Sequence, residues 1–304
     1  MYYDLKSFGS EIRKIRNSLE LTQNDLSILS NIHTDTLRKI ENGKVLPSQE
    51  TLDLLSPVLK KDLNKLLLNY RFHDYDAFQE IKNRLETKID RDEYETLDIE
   101  LEDLKTLLNN TSHPYFINQI NQSILLIESI ILNKKYNKPN ESLNKLVDAM
   151  KITTSNFSLH NCESFIYNSI ELRILMNIAL LINKLESTEK SLKVMEFCIK
   201  SIDPNDSLYP KICYNLAYTY HRLGLHKKAL KYSNLGIDYC IKNRNYSGLN
   251  HLYFRKGIAE YLLGYDDYKD SLGNSVNFSE MLGQYNTKNM LIVNCKNLYG
   301  IDIQ

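Results

Sequence analysis

Apolar residues near the start of the chain recur every three or four positions, and polar residues that favour turns separate the runs. The first run predicts one face of an amphipathic helix and consists of Phe8, Ile12, Ile15 and Leu19. Thr22 then stands at an N-cap position with Asp25 three residues later, the spacing of a capping box. We expect a second helix of about two turns here, with Leu26 and Leu29 facing inward.

A third short helix is predicted after a tight turn. Asn31 tolerates the left-handed backbone conformation that such a turn requires. Inward-facing Leu37 and Ile40 predict a helix from about Thr34 to Asn42, which Gly43 ends. Because helices this short are marginally stable alone, we expect them to pack together and to leave the outer face of the third helix free to enter a groove.

The segment LTQNDLSILSNIHTDTLRKIENGK, residues 21–44, resembles the helix-turn-helix of the lambda-repressor-like (XRE) family. The resemblance covers roughly residues 8–67 and includes a fourth helix in SQETLDLL. Two positions depart from the family pattern: Asn31 replaces the turn glycine, and His33 replaces the Ser or Thr that normally caps the third helix. The resemblance implies a DNA-binding domain over residues 1–69.

The same resemblance implies roles for individual residues. Gln23 and Asn42 match positions that bind DNA phosphates, and Arg16 and Glu41 match an internal ion pair. Base contacts are expected from the outward edge of the recognition helix. The residues at this edge are His33, Thr34, Asp35, Arg38 and Lys39, with Thr36 beside them and Lys44 after the helix. A solvated charged face is the alternative interpretation of Arg38 and Lys39.

From residue 70 onward the pattern changes to a series of helix pairs. The stretch CYNLAYTYHRLGLHKKALKYSNLG, residues 213–236, puts Ala217, Ala229 and Gly236 on the small-residue positions of a tetratricopeptide (TPR) repeat. Small residues are needed there because the two helices of a repeat, and the next repeat, pack at close range at those positions. Ala179, Ser191 and Cys198 take these positions in a unit 38 residues earlier, and Gly257 with Gly264 begins another unit 40 residues later.

Weaker units at residues 74–109 and 115–150 bring the total to about five repeats, and the helices from about Ser275 to Tyr299 are expected to cap the array. Stacked TPR hairpins form a right-handed α-solenoid whose concave wall is made by the first helix of each pair. We therefore expect an all-α protein with a helix-turn-helix domain at residues 1–69 and a degenerate TPR domain at residues 70–304.

This pair of domains resembles the RNPP group of peptide-pheromone receptors of Gram-positive bacteria, over nearly the whole chain. The resemblance implies a cytoplasmic transcription regulator that binds a two-fold-related DNA operator and forms a homodimer through its repeat domain. It also implies that a short signalling peptide controls the regulator, as in quorum sensing. The dimer surface is expected among Met281, Leu282, Met290, Leu291 and Val293, unless these residues only cap the array. A repeat domain that docks a partner protein, and a repressor without a peptide ligand, are the alternatives.

The TPR pattern also assigns residues to the concave wall. Asn177 and Asn215 occupy the same position of successive repeats, where an amide offers a donor and an acceptor to a peptide backbone. They could instead cap or solvate their own helices. The other candidates would supply aromatic pockets and cations for a carboxylate, and they are Arg173, Lys184, Lys211, Tyr214, Tyr218, His221, Arg222, Phe254, Arg255 and Tyr261.

Composition narrows the remaining function classes. A chain with 42% apolar residues, 10 Gly and 6 Pro fits a soluble helical protein, and a formal net charge of zero leaves any DNA contact to the placement of charges. The phosphate-loop, nucleophile-elbow and metalloprotease motifs are missing, and 7 scattered His lack ligand spacing, so we expect no enzyme, metal or cofactor site. The 5 Cys form no C-x-x-C pair and predict buried thiols, and no stretch suffices to span a membrane.

Overall fold

The computed structural model describes residues 3–71, 75–111 and 114–303. Within these ranges the secondary structure is helical and no strand occurs, as the sequence predicted. The chain divides into two compact units, Met1–Asn83 with Asp103–Ile117 and Arg84–Glu102 with Asn118–Gln304. The single boundary at residue 70 stays a prediction.

The first unit begins with five short helices whose ends follow local sequence signals. They are α1 (Leu5–Ser18), α2 (Gln23–Ser30), α3 (Thr34–Glu41), α4 (Gln49–Val58) and α5 (Leu63–Leu68). The predicted capping box is present, because the Thr22 hydroxyl accepts from the Asp25 N–H and the Asp25 carboxylate accepts from the Thr22 N–H. Asn31 has a φ of 56°, so it makes the left-handed turn between α2 and α3 as expected.

These five helices share one hydrophobic core. Phe8, Ile12, Leu26, Leu37 and Ile40 are all buried in it, which confirms the apolar faces predicted for them. Leu29 does not join the core: it is 60% exposed, and its predicted inward position was wrong. On a helix with 3.6 residues per turn, the next position below Leu26 is Ser30, which is buried, whereas Leu29 is rotated away.

The rest of the chain forms five consecutive helix pairs and a last helix. They are α6 (Tyr75–Asp90) and α7 (Leu97–Asn110), α8 (Pro114–Lys134) and α9 (Pro139–Lys151), α10 (Ser169–Leu185) and α11 (Thr188–Ser201), α12 (Tyr209–Arg222) and α13 (His226–Asn243), α14 (Leu249–Leu263) and α15 (Tyr268–Met281), and α16 (Tyr285–Asn294). Five pairs agree with the predicted number of repeats. The cap was placed too early, because Ser275 lies inside α15, the second helix of the fifth pair; only α16 and the π-helical turn Cys295–Tyr299 follow the pairs.

The predicted small residues lie where helices of the second unit approach each other. Ala179, Ala217 and Ala229 are fully buried in one cluster that runs through successive pairs. A Cβ atom on Gly236 would lie 2.4 Å from a methyl carbon of Leu252, so α13 and α14 touch at a distance that only glycine permits. This packing confirms the TPR interpretation of these positions. All five cysteines are buried free thiols, as predicted.

Candidate functional site

A buried carboxylate fixes the third helix of the first unit. Glu41, 3% exposed, accepts hydrogen bonds from Arg16 (Nε to Oε1, 2.6 Å), Gln23 (Nε2 to Oε2, 2.7 Å) and Arg13 (Nε to Oε2, 3.3 Å). Burial opposes ionisation of Glu41, but the hydrogen bonds from Arg16, Gln23 and Arg13 outweigh it and hold its pKa below the ordinary value. The predicted Arg16–Glu41 ion pair is therefore present and ties α1 to the end of α3.

Arg13 is a residue that the sequence analysis missed. Its Nη2 donates to the Asn42 side-chain oxygen at 2.7 Å and to the Glu41 carbonyl oxygen at 3.4 Å, while its Nε donates to the Glu41 carboxylate. Arg13 stands three residues before Arg16 and thus shares its helix face, which was the available signal. Both predicted phosphate-binding residues, Gln23 and Asn42, are consequently held by hydrogen bonds inside the domain. Their contact with DNA stays a prediction.

The outer face of α3 carries the predicted base-contacting residues. His33 caps the helix after all, since its Nδ1 accepts from the Asp35 N–H at 3.2 Å in place of a Ser or Thr hydroxyl. Arg38 pairs with Asp35 at 2.9 Å, and their side chains are 64% and 59% exposed. An exposed pair one turn apart is worth little, so Arg38 can exchange Asp35 for another acceptor at small cost. Lys39 and Lys44 are exposed, and Thr34 and Thr36 are partly buried beside them.

In the second unit, two cations of the predicted concave wall are paired with carboxylates of α6. The Lys211 Nζ lies 2.7 Å from the Glu86 Oε2 and 2.8 Å from the Asp90 Oδ1, and Arg173 pairs with Glu86. Asp90 also accepts a hydrogen bond from the Ser247 hydroxyl at 2.7 Å. The side chains of Arg173 and Lys211 are only 16% and 11% exposed, so these ion pairs are largely withdrawn from solvent.

The two predicted ladder asparagines have the same conformation. The Nδ2 of Asn177 donates to the Arg173 carbonyl oxygen at 2.8 Å, and the Nδ2 of Asn215 donates to the Lys211 carbonyl oxygen at 2.9 Å, each one turn back along its helix. Among the described residues, both amide oxygens and the second N–H of Asn177 have no partner, whereas the second N–H of Asn215 donates to the Met176 sulfur, a weak acceptor. Asn215 also lies 3.5 Å from the sulfur of Met176, which brings α10 and α12 together at this position.

Between α12 and α14 lies a group of aromatic and basic side chains. The His221 Nε2 donates to the Arg255 carbonyl oxygen at 2.9 Å, which leaves its Nδ1 to accept from His226 at 3.2 Å. The Arg255 guanidinium lies 4.7 Å from the centre of the Tyr218 ring. The Tyr214 and His251 rings are 5.0 Å apart. The structure thus brings residues predicted from successive repeats into direct contact.

Four of the residues predicted to bind the peptide lie outside this group, three of them exposed to solvent and one in the hydrophobic core. Arg222 is exposed, with its Nη1 3.4 Å from the Tyr218 hydroxyl, and Lys184 is exposed and donates to Asn137 at 2.8 Å. Tyr261 is 38% exposed and donates to the Tyr299 carbonyl oxygen at 3.3 Å. Phe254 is 3% exposed and belongs to a hydrophobic cluster with Ile258 and Leu272, so its ring is part of the core and does not form an open pocket wall.

Within the described ranges, no group of His, Cys, Asp and Glu has a metal-binding arrangement. Over the same residues, every helix is too short or too polar to cross a bilayer.

The helices that pack around Glu41 belong to a segment whose sequence matches a known family. Residues 12–66 match the helix-turn-helix family HTH_3. They form a helix-turn-helix domain. This domain is 38% identical over 64 residues to the uncharacterized HTH-type transcriptional regulator RghRB of Bacillus subtilis (strain 168), an alignment that covers 21% of this chain and 46% of RghRB. The chain thus matches less than half of that relative's length.

Solved structures extend the likeness beyond the helix-turn-helix domain. PlcR of Bacillus thuringiensis, in complex with the peptide PapR7 and DNA, is similar with a TM-score of 0.73 and 18% identity, over 94% of this chain and 99% of PlcR. ComR of S. thermophilus, in complex with DNA and its signalling peptide ComS, has a TM-score of 0.58 and 14% identity, over 97% and 100% of the two chains. The SHP pheromone receptor Rgg2 of Streptococcus dysgalactiae has a TM-score of 0.56 and 12% identity, over 93% and 97%. The fold predicted from the RNPP resemblance is confirmed.

Proposed function

We propose that this protein is a cytoplasmic transcription regulator that binds DNA through α3 and a short signalling peptide through its repeat domain. The observation that carries the proposal is that a helix-turn-helix domain with a free recognition face precedes helix pairs that present Asn177 and Asn215 in one orientation. The likeness to PlcR in complex with a peptide and DNA, over 94% of this chain, supports it.

The DNA-binding part follows from the exposed outer face of α3. Arg38 can donate two hydrogen bonds to one guanine edge after it leaves Asp35, and the neighbouring Lys39 reaches bases or phosphates. Gln23 begins α2 and Asn42 directly follows α3, and phosphate contacts from these two residues would set the position of the helix in the groove. Glu41 keeps α3 aligned with α1 during binding, because it is hydrogen bonded from both Arg16 and Arg13.

Selection of bound sequences from a random duplex pool tests the DNA-binding function. The selected site should contain two related half-sites. Each base contact is worth about 1 to 3 kcal/mol, so the Arg38→Ala, Lys39→Ala double variant should bind that site at least about tenfold more weakly in a gel shift. Lys61→Ala, which removes an exposed charge outside α3, is the control and should bind normally. Unchanged affinity in a folded double variant would refute the assignment.

The peptide-binding part is tested on the ladder asparagines. In the part of the chain that the structure describes, both amide oxygens and the second N–H of Asn177 are free to bond a peptide backbone, and the second N–H of Asn215 has only the weak Met176 sulfur to give up. A peptide group that is buried in the complex without its hydrogen-bond partner costs about 1 to 3 kcal/mol. Asn177→Ala and Asn215→Ala should therefore each weaken binding of a peptide that co-purifies with the protein by roughly tenfold. Isothermal calorimetry measures the affinity, and thermal melting of the free variants shows whether the fold is kept. Wild-type affinity in both variants contradicts the ladder.

A further inference from the structure

One position of the repeat carries polar side chains in three successive first helices. Asn177 of α10, Asn215 of α12 and Arg255 of α14 are separated by 38 and 40 residues, the spacing of successive repeats. Each asparagine offers a carbonyl oxygen and an N–H, which suit a peptide bond, although Asn215 must first give up its weak contact with the Met176 sulfur. Arg255 offers only donors and a permanent positive charge. The row therefore changes, at α14, from groups that suit peptide bonds to a group that suits an anion.

Arg255 is half-buried, and its guanidinium has no acidic partner among the residues that the structure describes. Its Nε is closed to solvent and donates no hydrogen bond in the described part of the chain. The Tyr218 and Phe254 rings lie 4.7 Å and 5.2 Å from its central carbon, so its nearest neighbours are aromatic. Burial lowers the pKa of Arg255, and the titratable groups near it that act in the opposite direction are tyrosines, not carboxylates. A buried cation without a counter-ion is costly, and aromatic contacts replace only part of its hydration.

The other buried cations of the same wall differ from Arg255. Lys211 is paired with both Glu86 and Asp90, and Arg173 is paired with Glu86. A ligand carboxylate placed there would meet two carboxylates of α6 and would be repelled. An incoming anion therefore finds an unpaired buried partner at Arg255 and none at Arg173 or Lys211.

We propose that Arg255 receives a carboxylate of the bound peptide, while Asn177 and Asn215 hold its peptide bonds. The C-terminus or an Asp or Glu side chain of the peptide supplies the carboxylate. If the C-terminus supplies it, the peptide lies with its C-terminal end at α14 and its N-terminal end toward α10. This assignment rests on the peptide-binding function proposed above and identifies the charge that the ligand must carry.

The test uses two mixtures of randomised synthetic heptapeptides, one with free C-terminal carboxylates and one with C-terminal carboxamides. Each mixture is incubated with the full-length protein, and peptides retained through gel filtration are quantified by mass spectrometry. The wild-type protein should retain free-acid peptides about tenfold more than carboxamides, because charge-assisted hydrogen bonds are the stronger ones. Arg255→Gln should lose this preference and Arg255→Lys, which keeps a cation, should keep part of it. Lys242→Gln, which removes an exposed charge from α13, is the control and should match the wild type.

Melting of the free proteins separates binding from folding. Arg255→Gln removes an unpaired buried charge, so its melting temperature should equal or exceed that of the wild type. If it melts lower, Arg255→Lys is used in its place. Retention of both mixtures by Arg255→Lys with the same preference for free C-termini and the same enrichment in Asp and Glu as the wild type, or with neither of them, refutes the assignment, because a lysine should keep only part of the effect.

The arms of the test also distinguish the sources of the carboxylate. Equal retention of both mixtures, with enrichment in Asp and Glu that Arg255→Gln abolishes, supports the site and assigns the carboxylate to a side chain. Retention by Arg255→Gln that equals the wild type in amount and composition overturns the site but leaves peptide binding intact. A wild-type protein that retains neither mixture refutes the proposed peptide function, and the role of Arg255 with it.

Discussion

At the scale of single residues, two histidines near Arg255 couple stability to pH. Burial lowers the pKa of His221 and of His251 to about 4, and the charge of Arg255 contributes to both shifts. Asp90 and Asp92 act in the opposite direction on His251 without cancelling the effect of burial. In the unfolded chain a histidine has a pKa of about 6.5. Between these values the unfolded state binds more protons, so the free energy of unfolding decreases as pH falls from about 6.5 toward 4.

We predict that His251→Gln loses less stability than the wild type on acidification from about pH 7 to pH 5. One histidine with this shift accounts for about 1 to 2 kcal/mol over that range. Urea unfolding at both pH values gives the two free energies of unfolding and their difference. His160→Gln, which changes an exposed histidine, is the control. If His251→Gln loses as much stability as the wild type, His251 does not resist protonation in the folded protein.

At the scale of the helix pair, glycine sets how closely α13 and α14 approach. A Cβ on Gly236 would lie 2.4 Å from Leu252 and 3.0 Å from the Cβ of Cys213, and both neighbours are fully buried. Gly236→Ala should therefore destabilise the protein by about 1 to 3 kcal/mol, despite the higher helix propensity of alanine.

Gly273 of α15 provides a matched control for Gly236→Ala. It also lies within a helix, but a Cβ there would meet no atom within 4 Å. Gly273→Ala should stabilise by up to about 1 kcal/mol through helix propensity alone. Thermal or urea unfolding of both variants measures the difference in sign. If both substitutions stabilise, the approach of α13 to α14 does not require glycine.

Local sequence patterns predicted the features that depend on neighbouring residues. The capping box of Thr22 and Asp25, the left-handed Asn31 and the small Gly236 all follow from spacings within one or two helices. The pairing of Lys211 with Glu86 did not follow, because 125 residues separate them and only the contact of α6 with α12 in the folded chain brings them together. For the same reason the sequence offered several cations for a peptide carboxylate, and only their tertiary partners distinguish Arg255 from Lys211.

At the scale of the whole molecule, the expected dimer surface can now be restricted. Leu291 is 2% exposed and packs in the core with Cys295, so it does not belong to such a surface. Met281, Met290 and Val293 are 79%, 45% and 53% exposed. Single exposed apolar side chains are common on monomers, but apolar side chains are also what the core of an interface buries. Dimerisation through the repeat domain stays a prediction, now resting on these three residues.

We predict that the Met281→Glu, Met290→Glu double variant of the full-length protein is monomeric where the wild type is a dimer. Two new carboxylates in each subunit would be buried without partners, which costs several kcal/mol in an apolar interface. Ile241→Glu, at a 59% exposed apolar residue of α13, is the matched control. Analytical ultracentrifugation at micromolar concentration measures the mass. A dimer links two recognition helices, so binding of the first raises the effective concentration of the second at its half-site. The monomeric variant should therefore bind a two-fold DNA site more weakly than the wild type and should bind a single half-site with wild-type affinity. A double variant that remains dimeric would exclude these residues from the interface.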